Sequence, residues 1–222
     1  MVIIVHREFS ELKAYQRLHR DHFPEALSLR THRALSWLNK AEQSNEDEDA
    51  YFIFLWIAFN AAYANDIGKS ITMTEKNKFD GFLKKLCDLD ADKDIYNLVW
   101  KQFAQGIRQL LDNKYVFQPF WDFHNGEAGS DKWEDRFNLR KARANKALSR
   151  SDTAEILSIM FTSLYTLRNQ LIHGGATWQG SVNREQVRIG GQVLSRFVPL
   201  LIELMMKNPN ELWGDPSYPV VK

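Results

Sequence analysis

From Tyr51 to Ala64 the chain reads Y-F-I-F-L-W-I-A-F-N-A-A-Y-A, fourteen residues without a charge and with a lone amide, Asn60. A helix that is apolar on every side cannot hide itself against a single neighbour; it needs protein around most of its circumference. The run therefore predicts the central helix of a bundle. A bilayer span needs roughly 20 apolar residues, so this one is expected to sit in a protein core rather than a membrane.

The rest of the chain agrees with a helical reading. Apolar residues recur at three and four positions rather than alternating, and glycine and proline number only 11 and 6 in 222 residues. A short amphipathic helix is expected over 7–20. Pro24 suits the first position of a second helix, with Leu27, Leu35 and Leu38 inward to about Ala41. The acidic S-N-E-D-E-D of Ser44–Asp49 reads as a solvated link whose carboxylates favour the start of the next helix. Further helices are expected over Thr74–Leu89, Asp92–Leu111 and Lys132–Leu148, with a loop at H-N-G-E-A-G-S (His124–Ser130). Asp152 and Glu155 have the spacing of a capping box and open a helix ending at Gly174. Asn183 and Gln186 open a last helix to about Lys207, which Pro199 should bend. No repeat and no dividing linker is visible. The expectation is one all-α, up-and-down bundle with additional helices over 1–222, its core at about 25–207 and a loosely held tail over 208–222.

The bulk numbers narrow the function. A formal charge of +1 excludes a globally basic coat, so any nucleic-acid surface has to be local. The lone cysteine, Cys87, allows no disulfide framework and no cysteine-based metal cage. The opening M-V-I-I-V-H has no basic n-region and is not expected to be a signal peptide; a cytoplasmic protein is the natural reading. His19 and His22, three apart, have no evident further ligand and read as a surface pair. No cofactor and no metal is expected.

The chemistry concentrates in L-R-N-Q-L-I-H-G-G-A-T-W, Leu167–Trp178. Arg168 offers a permanently charged fork for phosphate oxygens, and His173 can take or give a proton near neutral pH. Five residues on a straight helix turn through about 140° and rise about 7.5 Å, so Arg168 and His173 do not share a face, whereas Asn169 and His173 do. RNA cleavage by its own 2′-hydroxyl needs a base, an acid and positive charge on the phosphorus. One histidine per chain supplies one proton-transfer group; two chains about a two-fold axis supply both. The bland reading is that an Arg and a His in the last turn simply complement the helix dipole.

R-N-Q-L-I-H resembles the signature of the HEPN superfamily (higher eukaryotes and prokaryotes nucleotide-binding): an arginine, a polar residue after it, and a histidine four to six positions beyond the arginine. With F-L-W-I-A-F-N-A (Phe54–Ala61), the stretch is similar to a bacterial HEPN branch related to the Apea-like proteins. The resemblance implies a HEPN-type bundle and a metal-independent homodimeric endoribonuclease, a hydrolase of toxin–antitoxin, defence or RNA-processing settings. Arg168, Asn169 and His173 would be its catalytic residues. It also implies the alternative of members that bind nucleotide, RNA or protein without turnover. A nucleotidyltransferase-like protein or an antitoxin is the implied partner in a toxin system.

Other residues are weighed beside that trio. Arg136–Arg150 carries six basic residues and no acid, and Arg140, Lys141, Arg143 and Lys146 can track an RNA backbone or form a solvated helix face. Trp178 can stack a base or cap the core edge. Gly174 and Gly175 permit close approach of backbone to a phosphate, although a helix stop explains one of them. Asn60 needs a partner wherever it is buried and can brace Arg168 or His173 across the bundle.

Overall fold

The computed structural model describes residues 7–63, 73–216 and 218. The opening M-V-I-I-V-H, Ala64 at the end of the central run, and the last residues of the expected tail lie outside them. Among the described residues the protein is all helical. Its α-helices are α1 (Phe9–His19), α2 (Glu25–Glu42), α3 (Glu48–Tyr63), α4 (Met73–Leu89), α5 (Asp94–Asn97), α6 (Ala104–Leu111), α7 (Gln118–His124), α8 (Trp133–Arg150), α9 (Thr153–Ile172) and α10 (Arg184–Lys207).

The apolar run occupies α3, and no residue of it from 51 to 63 is exposed. Helix α3 packs against α2, α10 and α9. Its Phe59 ring stacks on Phe161 of α9 at 4.4 Å, and Phe161 meets Phe197 of α10 at 5.1 Å. Trp56 faces Phe161 and Tyr165, so α3 and α9 run antiparallel. Aromatic pairs at these separations add to the burial of large apolar surfaces. The I-G-G of Ile189–Gly191 lets α10 come in close. A Cβ on Gly190 would stand 2.8 Å from Phe52 and 2.9 Å from Leu164, so no larger residue fits there without displacing α3 or α9.

Helix α10 has the length and apolar composition of a membrane span, but 72% of its most apolar window is buried within the protein. Pro199 lies inside it and is itself buried.

Four local expectations change. Pro24 is the N-cap of α2, in an extended conformation, rather than its first helical residue. The stretch 92–111 is not one helix. Asp90 accepts from the N–H groups of Asp94, Ile95 and Tyr96 to start α5. The chain then takes a wide π turn over Leu98–Gln102 that closes with the Phe103 N–H on the Leu98 carbonyl. No proline or glycine stands at the break, so apolar spacing alone carries a helix straight through it. Asn183 does precede α10, but its backbone is left-handed (φ 55°) and it makes no capping bond; its amide points to Gln170 instead.

The fourth change concerns the tail. Trp213 is buried, and its indole N–H donates to the Asn208 carbonyl at 2.9 Å. The guanidinium of Arg30, wholly buried in α2, donates to the carbonyls of Trp213, Gly214 and Ala62. A buried cation needs acceptors, and the segment up to Gly214 supplies two of the three, so it is part of the core.

Candidate functional site

The site lies where α9 ends. Asp152 starts that helix by accepting from the Glu155 N–H at 3.1 Å. At the other end His173 is the C-cap and Gly174 takes φ 71°. Gly174 N–H donates to Leu171 and Gly175 N–H to Gln170, the paired bonds of a Schellman stop. The helix stop thus accounts for Gly174 by its left-handed backbone, while the Gly175 bond needs only a backbone N–H.

Arg168 is half-buried in the last turn. Its Nη1 donates to Asn169 Oδ1 at 3.0 Å, and its Nε is buried without a hydrogen-bond partner among the described residues. No carboxylate among them pairs with it. A guanidinium drawn partly out of water and left without a counter-charge is ready to accept an anion. His173 is exposed, and its ring makes no hydrogen bond within the described chain. Its backbone N–H closes on the Asn169 carbonyl at 2.9 Å. The guanidinium and imidazole of one chain share no hydrogen bond.

Between them, Gln170 ties the helix end to its surroundings. It donates to the Tyr115 carbonyl at 2.6 Å and accepts from Asn183 Nδ2 at 2.7 Å. The loop from α9 to α10 is strapped to the start of α3. Trp178 Nε1 donates to Asp47 at 2.8 Å, and Gln179 N–H donates to Asp49 at 2.8 Å. Arg184 forks onto Asp49 at 2.8 and 3.1 Å. Asp47 also caps α3, accepting from the N–H groups of Asp49 and Ala50. Those bonds, the Ala50 bond foremost, hold its carboxyl below its ordinary range. The side-chain bonds to Asp49 hold the Arg184 guanidinium above its own.

The acidic link therefore does more than open a helix: Asp47 and Asp49 position the loop after the motif. Sequence reasoning passed over this pair together with Gln170, Asn183 and Arg184. The acidic spacing was visible; the partners, more than 120 residues away, were not.

The other expected residues separate. Arg140 faces inward. Its guanidinium donates to Ser163 Oγ and to the Leu110 carbonyl, and it lies over the rings of Phe117 and Phe137. Burial pushes it down to about 10. It belongs to the packing of α6, α8 and α9, not to a surface track. Lys141 pairs with Asp112 at 3.0 Å, and Arg143 forks onto Glu155. Lys146 is exposed. Two of the six basic residues of the run, Lys141 and Arg143, are thus met by acids from outside it, and Nε and Nη1 of Arg140 are buried. Trp178 is 71% exposed and held by its indole N–H, which leaves its ring open rather than capping the core. Asn60 lies beside Phe59, at the level of Phe161, about two turns before Arg168. It braces neither Arg168 nor His173, and its buried Oδ1 has no partner among the described residues.

Exposed apolar side chains stand at the helix end and on the loop that follows it: Ile172 at 46%, Trp178 at 71% and Val182 at 62%. No protein-family model, no curated protein and no solved structure matches the chain. What the site can do rests on its residues.

Proposed function

We propose that the protein is a HEPN-type, metal-independent endoribonuclease that acts in the cytoplasm as a homodimer. The observation that carries this reading is the presence, five residues apart at one helix end, of an unneutralised, half-buried Arg168 and an exposed, unengaged His173, with Ile172, Trp178 and Val182 exposed on the same helix end and the loop after it. Large exposed apolar groups around a charged site favour association over a solvated face. A second copy, docked about a two-fold axis, brings the second imidazole that the chemistry requires.

In that dimer Arg168 binds the scissile phosphate through its free N–H groups, and Asn169 fixes the guanidinium by the bond already made. One His173 takes the proton of the 2′-hydroxyl. The 2′-oxygen bonds to phosphorus and the bond to the 5′-oxygen breaks. The imidazolium of the other copy gives the leaving oxygen its proton, which leaves a 2′,3′-cyclic phosphate and a 5′-hydroxyl. A toxin, defence or RNA-processing setting, with an antitoxin or a nucleotidyltransferase-like protein as partner, belongs to the same proposal.

Purified protein incubated with mixed RNA in EDTA should cut it to cyclic-phosphate ends. Arg168→Ala and His173→Ala should each reduce cleavage by at least about a hundredfold, the usual contribution of a proton-transfer or charge-stabilising group. RNA left intact by a folded dimer across several substrates would overturn the reading. Retained binding without cleavage would turn it into a binding module that uses the same helix end.

A further inference from the structure

One groove adjoins the motif and is not used by it. It is an open depression of about 640 Å³ between α6, the short turn at Lys114–Val116, α8 and the first turn of α10. Its lining is unusual in kind. Gln105, Gln109 and Gln186 bring carboxamides, Asn113 brings a fourth whose oxygen accepts from the Tyr115 N–H, Arg108 and Lys114 bring cations, and Tyr115 brings an aromatic ring that is 45% exposed with the Lys114 ammonium 5.4 Å from its centre. Two carboxylates, Asp112 and Glu185, also reach it, but each is met by a cation of its own, Lys141 and Arg188. The cationic side chains are therefore not cancelled by the acids beside them.

We propose that this groove seats a nucleotide of single-stranded RNA that flanks the bond held at Arg168. A carboxamide offers a donor and an acceptor side by side, the pattern that meets a base edge. An aromatic ring offers a face that any base can stack on, and Arg or Lys at the rim meets the phosphate. The volume falls within the range of small-ligand sites and admits a purine nucleotide.

The placement ties the groove to the motif. Gln170 lies between Arg168 and His173 and holds both groove walls: it donates to the Tyr115 carbonyl and accepts from Asn183, two residues before Glu185. A strand with one base on Tyr115 therefore runs on past Gln170 to the helix end. The groove would set which bond is presented, while Arg168 and His173 would break it. This inference rests on the ribonuclease reading above and adds its substrate-recognition subsite.

The test separates the two. Fluorescence anisotropy would follow binding of labelled homopolymeric single-stranded RNA oligonucleotides to wild type, Tyr115→Ala, Tyr115→Phe, Gln186→Ala and the Arg168→Ala/His173→Ala double variant. Loss of a stacking contact costs about 1–3 kcal/mol per base, so Tyr115→Ala should weaken binding by about 5-fold to about 150-fold. Tyr115→Phe should keep it, since stacking needs only the ring. Gln186→Ala, a partly exposed position with little effect on folding, should flatten the preference among the homopolymers. The double variant should no longer cut and should bind more weakly for want of the Arg168 phosphate contact, yet keep the wild-type preference among the homopolymers. If RNA is cut normally and neither Tyr115→Ala nor Gln186→Ala alters binding or base preference, the groove proposal falls and the ribonuclease reading stands. If binding depends on Tyr115 but nothing is cut, the groove stands and the ribonuclease falls. If mononucleotides bind as tightly as the oligonucleotides, the occupant is a free nucleotide and the strand proposal is overturned.

Discussion

Arg30 is a charged group with no exposed surface, and the acceptors that hold it are three carbonyls from two separate segments, Trp213–Gly214 and Ala62. Burial lowers it to about 10, opposed by the nearby Tyr63 and Asp215, so it stays protonated at neutral pH. Removing the guanidinium leaves those carbonyls buried without a donor, and each orphaned group costs about 1–3 kcal/mol. Arg30→Met, which keeps much of the volume, should therefore lower the stability read from urea unfolding by about 2–4 kcal/mol. It should also open the segment after Asn208 to limited proteolysis, because Trp213 and Gly214 lose their clasp. An unchanged midpoint and an uncut tail would mean that water replaces the arginine. The signal for Arg30 was present: it stands on the buried stripe of α2, between Leu27 and Ala34. An arginine at a stripe position reads equally well as a surface residue until its acceptors are known. Arg140 repeats the lesson in α8, where a residue expected on an RNA-facing run turns under Phe117 and Phe137.

At the scale of elements, the motif depends on how α9 stops and how the next loop is tied down. The stop was legible, because Asp152, Glu155 and the double glycine are local signals with local partners. The tie was not. Asp49 is 7% exposed and receives both Arg184 and the Gln179 N–H. Breaking a largely buried pair of this kind costs about 3–5 kcal/mol because the remaining charge loses its partner; with Arg184 still partly in water, about 2–3 kcal/mol is expected here. Asp49→Ala should raise hydrogen exchange at Gln179 and along the Trp178–Asn183 loop and slow RNA cleavage, with α4 and α6 unaffected. Equal exchange in variant and wild type would show that the loop holds without the clamp. Acid should loosen the neighbouring tie. Asp47 has a lowered folded pKa, so its bonds contribute above the carboxylate's ordinary value and are lost as pH falls through the lowered one.

At the scale of the whole molecule, the proposed activity requires two chains. Ile172, next to His173, and Trp178 and Val182 on the following loop are exposed, and the proposed second copy would cover them. Ile172→Glu should leave the fold intact, because the side chain is already in solvent, yet shift the species seen by light scattering from dimer to monomer. Cleavage should fall with the dimer, by at least about a hundredfold if the second imidazole is lost. A monomeric variant that cuts RNA as fast as wild type would place the whole site within one chain.

The sequence by itself determined the helical class, the central place of the apolar run at α3, the limits of most helices and the polar trio at the end of α9. Each of these follows from local periodicity, capping chemistry or the need to hide an all-round apolar helix, and such forces act between residues close in the chain. Only the tertiary structure decided the π turn after α5, the burial of Arg30, Arg140 and Trp213, the strap from Asp47 and Asp49 to the motif loop, and the amide-lined groove beside it. Those depend on which distant group neutralises a charge or accepts a hydrogen bond. The stretch R-N-Q-L-I-H-G-G accordingly keeps its place as the candidate site, with a fixed guanidinium, an open imidazole and a groove alongside that its own residues did not announce.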